Sequence, residues 1–392
     1  MTMDDTHIRH RISGRNQSGL RDQNARLVLS YLRRYGDMPS AEIARRSGLS
    51  AQTVSNITRA LEADRLIEKR EVLRGKVGKP SVPVGLRPEG VYAFGMNIGR
   101  RSLEVVLVDF SGNEVERARV GYRYPAAADV FSVLDREMAT MLKKHPQARD
   151  RLAGLGVASP SKLWSWLEIV SAPEQEMQKW QDISLPEVLA ERTGLEVFVE
   201  NDATSACIAE NLGGLGSETT NFAYIFMGAF VGGGLVLDGD IVSGSTHNAA
   251  AFGPLPVPDG KGGVTELLNV ASLYNLEAAL RDRGIDPDGI RYQDENWQAY
   301  EEELVPWIEQ TAESLALASA AIASIVEVEV VVVDGVMPTV VRQRLTDGLR
   351  TKFAGLALTK INEPRFEPGT IGKGARSYGA ALMPIYSRYF VA

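Results

Sequence analysis

The sequence predicts a two-part molecule: a winged helix-turn-helix at the front and a mixed α/β body of two lobes behind it. Three observations carry this. Residues 40–67, "SAEIARRSGLSAQTVSNITRALEADRLI", read as a helix, a glycine turn and a second helix with a polar face. After Pro88 the pattern changes to alternating strands and helices, and a β-β-β-α-β-α-β order recurs in outline. Charge divides at the same place: residues 1–90 hold 17 Lys/Arg and 10 Asp/Glu, whereas the remainder holds 26 and 40. A basic front on an acidic body is the layout of a nucleic-acid-binding module joined to something that is not one.

Residues 1–16 have several arginines and no periodicity, as in a flexible basic tail. The DNA-binding domain is expected over 17–88. "NARLVLSYLRRYG" places Leu27, Leu29, Tyr31 and Leu32 on an amphipathic helix that stops at Gly36. Ser40 is expected to cap the next helix, with Ile43 and Ala44 inward, and Gly48 to make the turn. Ser50 caps the third helix, where Val54, Ile57 and Leu61 recur at helical spacing, and is itself expected among the DNA contacts. Gln52, Thr53, Ser55, Asn56 and Arg59 are left outward, short polar and amide side chains suited to base edges and phosphates. "LIEKREVLRGKVGKPSVPVGLRP" reads as two strands around a basic loop, a wing whose Arg74, Lys76 and Lys79 would meet phosphates or the minor groove. A bland alternative is a helical hairpin with a solvated polar face.

The body opens with three strands, "VYAFGMNIG", "LEVVLVDF" and "EVERARVGY", then the helix "DVFSVLDREMATMLKKH". The strand "LAGLGVAS", the helix "LPEVLAERTG" and the strand "EVFVEND" follow. "NFAYIFMG", "GGGLVLDGD" and a short third strand open the second half, and "LALASAAIASIVEVEVVVVDGV" is a buried helix running into a buried strand. Glu327 and Glu329 argue against a membrane span there. The N-terminus has no apolar signal segment, so a cytoplasmic protein without membrane association is expected. Cys207 is the one cysteine, which excludes an internal disulfide and a thiolate zinc site.

Two similar α/β halves about a cleft are the layout of the actin-like (ribonuclease H-like) sugar-kinase fold. Lobes are expected at 89–213, completed by a C-terminal helix over 375–392, and at 214–374. The motifs are "FGMNIGRRSLEVVLVDFSG", "VENDATSA", "MGAFVGGGLVLDGDIVSG", "HNAAAFGPLPVPDGKGGVTE" and "GARSYGAALMP", following a winged helix. In that order they resemble the ROK family of bacterial sugar kinases and sugar-responsive repressors, over nearly the whole chain. The resemblance implies a regulator of carbohydrate genes, most simply a repressor, with a sugar or sugar derivative as effector.

Against the family's kinase pattern, Asn97 replaces a carboxylate, and Arg100 and Arg101 stand where small residues leave room for ATP. In the second phosphate loop Ala229 and Phe230 replace Thr and Gly beside Gly232, Gly233 and Gly234. ATP binding and catalysis are therefore expected to be lost, with no cofactor. Asp202 holds the position of the catalytic base, as a hydrogen-bond acceptor for ligand, as the N-cap of the following helix, or both. The sugar-gripping Glu is Ala251, the zinc-ligating His is Pro254, and Val257, Asp259 and Val264 fill the three cysteine positions, so no metal is expected. Glu266 persists, either as a ligand contact or in the first turn of the helix "LLNVASLYNLEAAL". Ser159, Asn201, His247 and Asn248 complete the expected ligand contacts, with Trp164, Trp166 and Trp180 as aromatic candidates for a sugar face or for the core. The expected partners are double-stranded operator DNA, a sugar-like effector and further copies of the chain as a dimer or tetramer. An active sugar kinase with a DNA module, and a constitutive DNA binder with a vestigial pocket, stay open as alternatives.

Overall fold

The computed structural model describes residues 17–71, 82–160, 163, 172–245, 248–292 and 297–391. It divides into two compact units. The first comprises the residues up to Gly90 together with those from Tyr389 onward, and the second is Val91–Arg388.

In the first unit, α1 (Gln17–Tyr35) leads through β1 (Met38–Pro39) into α2 (Ser40–Ser47) and α3 (Ala51–Ala63), followed by β2 (Ile67–Lys69) and β3 (Pro83–Leu86). The three strands form one antiparallel sheet in the order β1-β3-β2. Leu29, Leu32, Ile43, Val54, Ile57 and Leu61 are buried as the helical spacing predicts, together with Val28 of α1 and Ile67 of β2, whereas Leu27 and Tyr31 are only half-buried. Gly48 has φ +71°, the left-handed conformation that lets α2 stop and the chain turn into α3. The Ser50 side chain accepts a hydrogen bond from Thr53 N at 3.0 Å and so caps α3. Ser40 does not cap α2. The extended residue before that helix is Pro39, which offers no side-chain cap, and Ser40 is the first helical residue. The core of this unit also holds Phe390, 2% exposed. Its carbonyl accepts from Arg26 Nε at 2.8 Å, and the next amide, Val391 N, donates to Ser30 Oγ at 2.9 Å.

The second unit contains two five-stranded sheets with the same topology. One runs β6-β5-β4-β7-β8, from β4 (Tyr92–Ile98), β5 (Ser102–Asp109), β6 (Glu114–Gly121), β7 (Leu152–Ala158) and β8 (Val197–Glu200). The other runs β11-β10-β9-β14-β15, from β9 (Phe222–Met227), β10 (Val231–Leu237), β11 (Asp240–Ile241), β14 (Val330–Gly335) and β15 (Arg365–Pro368). In each, three antiparallel strands are extended by two parallel ones. The helices between the first set of strands are α4 (Ala127–Lys144), α5 (Glu174–Gln178) and α6 (Leu185–Thr193). The β12 (Pro256–Pro258) and β13 (Val264–Glu266) hairpin stands apart from both sheets. The remaining helices are α7 (Asp202–Gly213), α8 (Leu268–Ala271), α9 (Leu273–Asp282), α10 (Asp288–Tyr292), α11 (Glu301–Ile325), α12 (Thr339–Gly355) and α13 (Ala375–Tyr389).

One core forms around Phe94 of β4, Val105 of β5 and Val130 of α4, another around Ile225, Val331, Leu315 and Leu345, and a third around Cys207, Tyr224 and Val332. α13 lies directly on the first sheet, because a Cβ at Gly95 or Gly156 would collide with the backbone of Ser377 or Ala380. α7 packs on the second sheet and also touches α13, where Ser205 Oγ donates to the Arg376 carbonyl at 3.0 Å. Among the described residues no helix is long and apolar enough to cross a membrane.

Candidate functional site

On α3, Gln52, Asn56 and Arg59 are exposed, and Thr53 and Ser55 are half-buried. The Ser50 hydroxyl is occupied in capping, bonded to Thr53 N and 2.8 Å from Thr53 Oγ1. Arg45 and Arg46 of α2 both bind Glu42, which their guanidinium hydrogen bonds hold down to a pKa of about 2. Arg74, Lys76 and Lys79 lie outside the described residues.

The second unit contains a cavity of about 620 Å³, a volume suited to a small ligand. Its walls come from the β4–β5 turn, the start of α7, the β9–β10 turn, the 248–254 segment, α9 and the start of α13. Of the expected ligand contacts, Asn201, Asp202 and Asn248 line it. Ser159 is buried and bonds the neighbouring Pro160 carbonyl, at 3.3 Å, instead of facing the cavity. Glu266 is an exposed residue at the end of β13, outside the lining and outside any helix. The antiparallel pairing of β13 with β12 takes it there. His247, Trp164 and Trp166 lie outside the described residues. Trp180 is core: it is 4% exposed and its indole N–H donates to the Pro125 carbonyl at 2.8 Å.

The start of α7 differs from the expected cap. Asn201 is the N-cap, its Oδ1 accepting from Ala203 N at 3.0 Å, and Asp202 is the first helical residue. The Asp202 carboxylate is 3.4 Å from Arg376 Nη1 of α13, so it faces the cavity with a cation beside it. Arg376 in turn lies over the Phe226 ring, 5.2 Å from its centroid.

The β4–β5 turn is held by Tyr122, whose hydroxyl donates to the Gly99 carbonyl at 2.6 Å. Asn97, 1% exposed at the end of β4, does not line the cavity. Arg100 reaches across from this turn and covers Phe230 of the β9–β10 turn, 4.5 Å from the ring centroid. Phe230 also packs against Tyr274 of α9, centroids 6.0 Å apart. Burial lowers the Arg100 pKa to about 10, so the side chain stays cationic at neutral pH. The β9–β10 turn has a second tie: the Gly228 and Ala229 carbonyls accept from the Leu273 and Tyr274 amides that begin α9, at 3.2 and 3.1 Å. The expected single helix after Glu266 is broken at Ser272. Its backbone is extended, and its Oγ accepts from Val231 N at 3.0 Å.

The glycine run has a packing explanation. A Cβ on Gly232 or Gly234 would strike Ala203 or Cys207 of α7, and one on Gly233 would strike Phe252 on the other face. The β12–β13 hairpin is likewise self-sufficient. Asp259 accepts from the Lys261 and Gly263 amides at 2.7 and 2.8 Å, which lowers its pKa and ties the turn by hydrogen bonds. Pro254, Val257, Asp259 and Val264 do not form a donor set that fits zinc. Among the described residues no cluster of three or more His, Cys, Asp or Glu is placed to hold a metal ion.

Residues 93–385 match the model of the ROK family. The chain belongs to the ROK family. Residues 21–68 separately match a winged helix-turn-helix DNA-binding model. An uncharacterized protein of Sinorhizobium fredii is 24% identical over 94% of this chain and 92% of its own length. The DNA-binding transcriptional repressor Mlc of Escherichia coli is 23% identical over 63% of this chain and 62% of its own. Among solved structures, a ROK family transcriptional regulator described as a homolog of the E. coli Mlc protein covers 94% of this chain and 98% of its own. Its TM-score is 0.70 at 21% identity. A ROK family glucokinase from Streptomyces griseus, in complex with glucose and AMPPNP, shares the body fold with a TM-score of 0.56. It is 20% identical and covers 74% of this chain and 98% of its own. The body fold of this ROK protein is thus shared with a regulator, over 94% of the chain, and with a kinase, over 74%.

Proposed function

We propose that this ROK protein is a transcriptional regulator, most simply a repressor, of carbohydrate-related genes. Its body senses a sugar or sugar derivative and does not transfer phosphate. α3 enters the major groove, where Gln52, Thr53, Ser55 and Asn56 meet base edges and Arg59 meets phosphate, with Ser50 capping the helix. Arg74, Lys76 and Lys79 meet phosphates or the minor groove. Two copies of the reader on a palindrome require a dimer or tetramer.

The observation that carries the loss of catalysis is the Arg100–Phe230 stack, at 4.5 Å, which joins the two turns that hold ATP phosphates in the kinase pattern. Arg376, 3.4 Å from Asp202, already engages that carboxylate at the cavity wall. Asn201, Asp202 and Asn248 instead offer hydrogen bonds to hydroxyl groups of a ligand. Effector binding regulates DNA affinity to the extent that it favours one arrangement of the body over another.

The test is to select genomic DNA fragments with the purified full chain, then measure binding by fluorescence anisotropy against a panel of sugars and derivatives. Nanomolar, salt-sensitive binding that at least one panel member weakens is expected. A coupled phosphotransfer assay over the same panel, with ATP and Mg²⁺, is expected to stay at background. Turnover there would establish the kinase alternative, and DNA binding indifferent to every compound would establish the constitutive one.

A further inference from the structure

We propose that the ligand of the cavity is a glycoside, with its sugar hydroxyls toward the start of α7 and an apolar aglycone toward α9. The inference rests on the reading of the cavity as an effector site and deepens it by naming the chemical class.

The two walls differ in the side chains they offer. The polar wall comes from the β4–β5 turn and the starts of α7 and α13, and it includes Asn201, Asp202 and Arg376. The opposite wall comes from the β9–β10 turn, the 248–254 segment, α8 and α9. Ala229, Phe230, Ala249, Ala251, Leu268 and Tyr274 line it. None of these is fully buried, so each keeps surface that a ligand can cover, and Tyr274 is 39% exposed. Among the described residues the other polar side chains of this wall are Asn248, Glu277 and Arg281, and the last two bind each other at 2.8 Å.

The backbone of the second wall is committed as well. The Gly228 and Ala229 carbonyls accept from the Leu273 and Tyr274 amides, the Ala250 carbonyl from Phe252 N at 2.8 Å, and the Gly253 carbonyl from Leu268 N at 2.9 Å. The Val231 amide donates to Ser272 Oγ at 3.0 Å, and the Ala249 amide to the Ser243 carbonyl at 3.1 Å. A sugar hydroxyl turned toward these groups would give up water and gain no partner in return. An apolar group there has no such loss, and it removes exposed ring and methyl surface from water.

The apolar wall is also preformed. Phe230 and Tyr274 pack together with ring centroids 6.0 Å apart. Arg100 lies over the first ring at 4.5 Å and Arg281 over the second at 5.9 Å, which holds the pair in place. At about 620 Å³ the cavity has room for a ligand larger than one sugar ring. A molecule with hydroxyls on one side and an apolar substituent on the other matches both walls at once.

The test is calorimetric titration of the full chain with matched sets, each a hexose or pentose as the free sugar and as its methyl, butyl and phenyl glycosides. Phenol alone completes the panel. The butyl or phenyl member of at least one set is expected to bind about 10- to 100-fold tighter than the methyl member, the range for burying one apolar side group. Tyr274→Ser should bring that ratio toward one. Ala251→Asn, which sets an amide on the wall, should lower it independently. Thermal unfolding of each variant establishes that it is folded, and either folded variant suffices for the comparison. Equal affinity for every member of the sets that bind, a ratio unchanged in the folded variants, or phenol binding as tightly as the phenyl glycosides overturns the inference. In the first of those cases a free sugar that still releases DNA leaves the sensor reading intact. Absence of both binding and DNA release across the panel overturns the two together.

Discussion

The Gln52 side-chain amide donates to Asn56 Oδ1 at 3.1 Å, one turn further along α3. The two exposed amides therefore constrain each other before DNA arrives, and ordering them costs less on binding. Alanine at either position should lower affinity for the selected operator by about 1–3 kcal/mol and relax the preference at one base pair. Arg59→Ala should instead weaken all sequences alike and reduce the slope of log K against log salt by about 1. Anisotropy titrations at several salt concentrations separate the two patterns.

Arg342 of α12 and Asp334 at the end of β14 form an ion pair inside the second lobe, 7% and 0% exposed. Asp334 also accepts from the Tyr224 hydroxyl at 2.8 Å and from Gly372 N at 3.0 Å. Arg342→Met leaves a buried carboxylate without its cation and should cost about 3–5 kcal/mol in urea denaturation. Adding Asp334→Asn to that variant should recover part of the loss, because the uncompensated charge is then gone.

Glu42 should titrate near pH 2. Hydrogen bonds from Arg45 and Arg46 lower its pKa from 4.5 to about 2. A folded-state value below the unfolded one means that the pairing stabilises α2 fully above about pH 4.5. That contribution is lost as pH falls toward 2. A carboxyl chemical-shift titration should give this midpoint, and Arg45→Ala or Arg46→Ala should move it upward.

Phe390→Ala should destabilise the DNA-binding unit by about 3–5 kcal/mol, the usual cost of removing a buried aromatic ring. Far-ultraviolet melting should then show an early transition for that unit, with the ROK body unfolding as before.

The features legible in the sequence are those with local causes. Helical spacing of Val54, Ile57 and Leu61, the cap at Ser50 and the turn at Gly48 are set within a few residues of each other. Alternating strands and helices likewise disclose the two lobes. What the sequence concealed depends on partners far along the chain. Ser272 interrupts a helix because its hydroxyl receives Val231 N, 41 residues away. Gly234 is explained by Cys207, and the packing of the β9–β10 turn by Arg100 meeting Phe230. Glu266 read as a helix residue since nothing nearby announced the strand pairing with Pro256. Asn201 and Asp202 are both good caps by type, and only the backbone at Asn201, extended rather than helical, decides between them.

The docking of Phe390 against α1 also sets an order of assembly. A ribosome makes the helices of the DNA reader first, yet the ring that completes their core emerges only after the whole ROK body has been synthesised. N-terminal units generally fold as they emerge. Here the reader completes its core only after the ROK body has been made. A fragment ending at Gly90 would leave that face of α1 bare, whereas the reader with a tethered copy of the terminal residues would not.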